Sequence, residues 1–199
     1  MVLLKFERIL ELLSIFRTIL KTNLPYGSWP SKLTSSALAK GAIRLSEPTV
    51  FSNDIYWLEG RPEESGRTAI VKYHDETAST LGPADLNVRT LVHEYGGGSW
   101  LPTSNGILLT SLIDQRIWLL NGDLQPITSP PSGSHLRFAN GTSVPNTTET
   151  VWVVERHRDG SPTPENLLAT ITLDGHIEEI ATGADFYSSP VVSPDGESL

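Results

Sequence analysis

At 199 residues, 38% hydrophobic and 19% charged, the chain has the composition of an ordinary globular protein or of part of a repeat domain. Its net charge of −8 argues against nucleic acid as a partner, because phosphate contacts need clustered Lys and Arg. Zero Cys excludes disulfides, thiolate metal sites and Cys nucleophiles, and fits a cytoplasmic protein without requiring one.

Residues 1–23 predict an amphipathic helix. Glu7, Glu11, Ser14, Thr18 and Lys21 form one polar stripe, with Ile9, Leu13, Phe16 and Leu20 opposite. Lys5, Glu7, Arg8, Glu11 and Arg17 interrupt the apolar run, which is therefore neither a membrane span nor a signal-peptide core. The segment reads as a helix packing on the fold or on a partner. A targeting segment and a wrongly assigned start are the alternatives.

A Pro-punctuated stretch, Asn23 to Leu33, marks the boundary of a β region over 24–199. Sixteen Gly and fourteen Pro imply many turns and short strands. Thr49–Phe51 and Ile55–Glu59 flank a turn at Ser52-Asn53-Asp54, and strands Arg67–Tyr73 and Ala78–Leu81 complete a first four-strand unit. The second comprises Gly98–Leu101, Ile107–Ser111, Arg116–Leu120 and Leu124–Thr128. The third runs from Leu136 through Thr150–Val154 and Asn166–Leu173, then past the Asp174-Gly175 turn to His176–Ala181.

A fourth unit is expected to open at Tyr187, with Ser193-Pro194-Asp195-Gly196 as a turn between two strands. The spacing of roughly 45–50 residues is that of a propeller blade. A β-sandwich explains the strands but not the period. The expectation is an all-β chain, an incomplete β-propeller of about three blades plus the start of a fourth, preceded by the helix. A chain that stops inside a repeat is expected to be part of a larger protein, and alone to be marginally stable or aggregation-prone, since repeat units rely on neighbours for burial.

Chemistry-bearing motifs are sparse. In His93-Glu94-Tyr95-Gly96-Gly97-Gly98, a strand would put His93 and Tyr95 on one face and Glu94 on the other, so His93 and Glu94 could not share acid–base work. The glycines suit a sharp lead-in to a strand, and a loop lining a substrate chamber is the other reading. Gly133-Ser134-His135 lacks the second Gly of a nucleophile elbow. His74, His93, His135, His157 and His176 are scattered, without metal-ligand spacing, and Arg156 to Gly160 reads as a solvated charged loop. Asn140-Gly141-Thr142 and Asn146-Thr147-Thr148 match glycosylation acceptors, by chance in the absence of a secretory signal. No catalytic, cofactor-binding or metal-binding residue is assigned.

Several motifs in order nonetheless resemble one family. They are Pro25-Tyr26-Gly27-Ser28-Trp29-Pro30-Ser31, Ile55 to Pro62, Asn87-Val88-Arg89-Thr90 with Val92 to Gly98, and Gly183 to Pro190 with the later Ser-Pro-Asp-Gly. Together they are similar to the dipeptidyl-peptidase/acylaminoacyl-peptidase branch of the prolyl oligopeptidase serine peptidases; residues 1–23 carry no counterpart. The resemblance implies an N-terminal propeller that admits peptides and excludes folded proteins, capping an α/β-hydrolase domain with Ser, Asp and His. Only the propeller's first half is matched, so no triad residue carries over and no hydrolysis is expected from this chain alone. Peptide substrates are implied for the full-length parent only, with a partner chain if the gene is split. A non-enzymatic interaction module is the alternative. A propeller lactonase would need carboxylates and Asn encircling a central ion, which three blades cannot do.

Overall fold

The computed structural model describes residues 24–199 except 29–30, 32, 36, 38–40 and 131–133, and the expected helix over 1–23 lies outside the described residues. The chain divides into two units, Met1–Ala39 and Lys40–Leu199. In the first, a turn at Pro25-Tyr26-Gly27-Ser28 is closed by the Ser28 amide and hydroxyl, both donating to the Pro25 carbonyl. No helix among the described residues is long and apolar enough to cross a membrane.

The described residues of the second unit form twelve strands in three antiparallel four-stranded sheets. The first sheet joins β1 (Arg44–Phe51), β2 (Asp54–Arg61), β3 (Arg67–His74) and β4 (Thr77–Thr80) in chain order. The second joins β5 (Trp100–Thr103), β6 (Gly106–Thr110), β7 (Ile117–Asn121) and β8 (Asp123–Pro126), again in order. In the third, β9 (Ser134–Ser143), β10 (Thr150–Arg158), β11 (Glu165–Ile171) and β12 (Ile177–Thr182) follow the same order. Three repeats of one meander match the three complete units expected from the sequence.

Side-chain alternation explains how the sheets stack. On β6, Ile107 and Leu109 point to one face and join Trp100 and Leu120 against Tyr56, Leu58 and Ile70 of the first sheet. Leu108 points the other way and, with Ile117, meets Phe138, Trp152, Val154 and Leu167 of the third. A strand buried on both faces needs a continuous apolar run, which Ile107-Leu108-Leu109 supplies. On its far face the third sheet packs Ala139 and Val153 with Val92, Leu168 and Tyr187.

Three expectations are corrected. β1 begins at Arg44 rather than Thr49, because a bulge between Ser46 and Thr49 absorbs Pro48 and places Glu47 at φ 54°. β10 extends to Arg158, so Arg156 and His157 are strand residues rather than a charged loop. Arg156 is paired with Glu165 on the neighbouring β11 and with Glu179 on β12 beyond it, which offsets its partial burial. Third, residues 183–199 form no strand: Tyr187 is drawn into the third sheet's far-face cluster, and a strand needs a ladder partner that no described segment provides. The Ser193 turn does form, with the Gly196 amide donating to the Ser193 carbonyl.

One ionic cluster yields a pH prediction. Asp54 accepts from Lys72 at 2.7 Å and lies 2.5 Å from His74 Nδ1, and the Lys72 bond first, then His74, holds its carboxyl below the usual aspartate range. A depressed carboxylate stabilises the fold above its unfolded pKa, and that stability is lost as pH falls through the folded one. Asp54→Asn should therefore lower the melting temperature near neutral pH, with the gap to the parent closing on acidification. A gap that stays constant from neutral pH down to roughly pH 3 would contradict this.

Candidate functional site

Residues 88–98 carry the chain from the first sheet to the second, and the sequence singled out their final stretch. Val88 donates to the Thr68 carbonyl and bridges to Ser111, and the Leu91 amide donates to Gln115 Oε1 at 2.7 Å. The backbone then turns tightly. Glu94 N–H reaches the Leu91 carbonyl and Gly96 N–H the Val92 carbonyl, with His93 at φ 55°, Glu94 at 62° and Gly96 at 92°. His93, Glu94 and Tyr95 are thus turn residues, and the two-faced strand arrangement expected for them is not formed.

Past the turn, Gly98 exchanges hydrogen bonds with Asn140, donating to Oδ1 at 2.6 Å and accepting from the Asn140 amide at 2.7 Å. A Cβ on Gly97 would stand 3.2 Å from Ala139, and one on Gly98 3.0 Å from Asn140 Oδ1. The glycines permit this close approach to β9.

What holds the turn in place is a buried carboxylate that the sequence did not flag. Glu155, 2% exposed, accepts the His93 amide on Oε1 at 2.7 Å and faces His157 Nε2 at 3.0 Å with Oε2. Arg137 stands 3.8 Å from the same oxygen and donates to the Leu91 carbonyl and Glu94 Oε1, both at 2.7 Å. That bond to Arg137 holds the exposed Glu94 carboxyl below its ordinary range. The His93 ring approaches Asn166 Oδ1 at 3.2 Å and lies between Tyr95 and Phe186, with centroids 5.7 and 5.2 Å away. A charged residue directly after Val151 to Val154 was the available signal; its alternation puts Glu155 on the far face with Val153.

Two clefts lie near the turn. One, of about 570 Å³, is lined by Glu155, Asn166, Asp185 and Phe186. The other, of about 340 Å³, lies between β1 and this segment and is lined by Arg44, Glu47, Arg89, Tyr95 and Gly97 among others. Burial pushes the Glu47 carboxyl up, against hydrogen bonds from the Ser99 backbone and Trp100 side chain that lower it.

Among the described residues the His74 ring faces Asp54 and Asp75 and the His157 ring faces Glu155, and no hydroxyl is hydrogen-bonded to either ring. No three His, Asp or Glu side chains among those residues are placed to hold a metal ion. The Gly133-Ser134-His135 stretch lies partly outside the described residues, with His135 opposite His157 in the β9–β10 ladder.

No family model and no curated protein matches the chain. Solved structures do. A puromycin-hydrolysing peptidase of Mycobacterium tuberculosis is 37% identical over 88% of this chain, with a TM-score of 0.78. A puromycin hydrolase is 28% identical, again over 88% of the chain, with a TM-score of 0.75. The chain resembles the N-terminal part of the prolyl oligopeptidase-family serine peptidases. It spans about 30% of the length of each structure, so the greater part of those chains has no counterpart in these residues. The resemblance first carried by the Ile55–Pro62 and Val92–Gly98 motifs therefore has a three-dimensional match.

Proposed function

We propose that this chain supplies the first part of the N-terminal β-propeller of a prolyl oligopeptidase-type serine peptidase. In the complete enzyme it restricts access, admitting peptides and excluding folded proteins, to a catalytic α/β-hydrolase domain. The observation that carries this reading is the TM-score of 0.78 at 37% identity over 88% of the chain. The matched structures act on puromycin, by their names, and we extend to the parent of this chain an aminoacyl-bond substrate of that kind, a cytoplasmic location and kinship with the dipeptidyl and acylaminoacyl peptidases. The missing portion follows in the same polypeptide, or comes as a partner chain if the gene is split.

The test is reconstitution. The chain alone should leave puromycin and an aminoacyl chromogenic substrate uncleaved, because hydrolysis needs a nucleophile and base supplied by the catalytic domain. Joined to the downstream sequence of its own gene, or to the remaining part of the peptidase it matches at 37% identity, it should restore hydrolysis. Active-site-titratable cleavage by the pure chain would overturn this reading, as would a soluble, folded fusion that stays inactive.

A further inference from the structure

Among the described residues the basic side chains are sharply divided. Arg61, Arg67, Lys72, Arg116, Arg137, Arg156 and Arg158 each form an ion pair with a carboxylate. Arg44 and Arg89 form none, and neither guanidinium donates a hydrogen bond, although the whole chain carries 23 acidic residues against 15 basic ones. Where acids are in excess, an unpaired arginine is the exception. Both exceptions line the same cleft, the one of about 340 Å³ between β1 and residues 88–97.

The surrounding groups favour an anion there. Glu47 is the cleft's carboxyl, and its burial favours the neutral form. Ser46, Thr68 and the Gly96–Gly97 backbone line the rest of the cleft, and Tyr95 stands 81% exposed at the margin. A planar guanidinium forks onto a carboxylate through two parallel hydrogen bonds.

We propose that Arg44 and Arg89 form a carboxylate-binding site that takes the free C-terminal end of a peptide. The choice of a peptide rests on the peptidase reading above; the anionic class rests on the two unpaired guanidinium groups alone.

The experiment uses the chain without any catalytic domain, so its outcome is independent of hydrolysis. Binding of N-acetyl-trialanine as the free acid is titrated by NMR at low salt, beside the same peptide as its C-terminal amide and inorganic phosphate. The acid should bind about tenfold or more tightly than the amide, the size of one charge-assisted interaction. Arg44→Gln and Arg89→Gln should each weaken the acid about tenfold with little effect on the amide, whereas Arg158→Gln, at a distant exposed pair, should leave both unchanged. Equal binding of acid and amide by the unaltered chain would overturn the proposal. So would phosphate binding tighter than the peptide acid, or variants that fold normally and bind the acid as before.

Discussion

Replacing Trp152 by Ala should cost about 3–5 kcal/mol, a large share of the roughly 5–15 kcal/mol typical of a domain. Trp152 is fully buried between the second and third sheets, and its indole N–H donates to Thr150 Oγ1 at 2.9 Å. Its ring fills the space over Gly141, where a Cβ would lie 2.5 Å from Cζ2, a separation that real contacts do not reach. Gly141→Ala should therefore destabilise through overpacking, by about 1–3 kcal/mol. In the Trp152→Ala background the added methyl has room, and most of its penalty should vanish, a coupling that a double-mutant cycle isolates. Urea unfolding followed by circular dichroism measures all four proteins. Gly141→Ala within about 0.5 kcal/mol of the parent, or full additivity in the double variant, would refute this account of the contact.

The second large effect belongs to Glu155. Glu155→Leu leaves the His93 amide without its acceptor and removes the carboxylate between His157 and Arg137. Breaking one partner out of such a buried arrangement costs about 3–5 kcal/mol. Glu155→Gln keeps an oxygen for the His93 amide and should cost distinctly less. Hydrogen exchange adds a local signature: the His93 amide should exchange faster in Glu155→Leu, together with the Gly96 amide that closes the same turn. An Glu155→Leu protein as stable as the parent, with unchanged exchange at residues 91–98, would remove Glu155 from its role as the anchor of the turn.

The meander order was readable in the sequence because each strand boundary is a local event. Ser52-Asn53, Ser104-Asn105-Gly106 and Asp174-Gly175 are turns by their own chemistry, and Tyr56, Trp100 and Trp152 mark sheet faces by alternation. What escaped was decided by neighbours distant in sequence. Pro48 reads as a break, and only pairing with β2 shows that a bulge carries β1 through it. Arg156 reads as a solvent residue until Glu165 and Glu179 arrive beside it. The 91–95 turn is fixed by Glu155, whose bond to the His93 amide spans 62 residues of sequence. Likewise, nothing local distinguishes Arg44 and Arg89 from the paired arginines; the difference is which side chains the fold leaves beside them.

The three sheets share no strand ladder with one another; they meet through apolar faces, with a few hydrogen bonds such as Gly98–Asn140 and Glu47–Trp100 between them. Each sheet's hydrogen bonds can therefore survive the departure of its neighbour, while its buried surface cannot. The middle sheet is packed on both sides and should be the last to open, its β6 amides the slowest to exchange with solvent. In mechanical terms the unit is a stack of plates rather than a woven shell, and under strain it yields by a plate sliding away before any strand is pulled from its sheet.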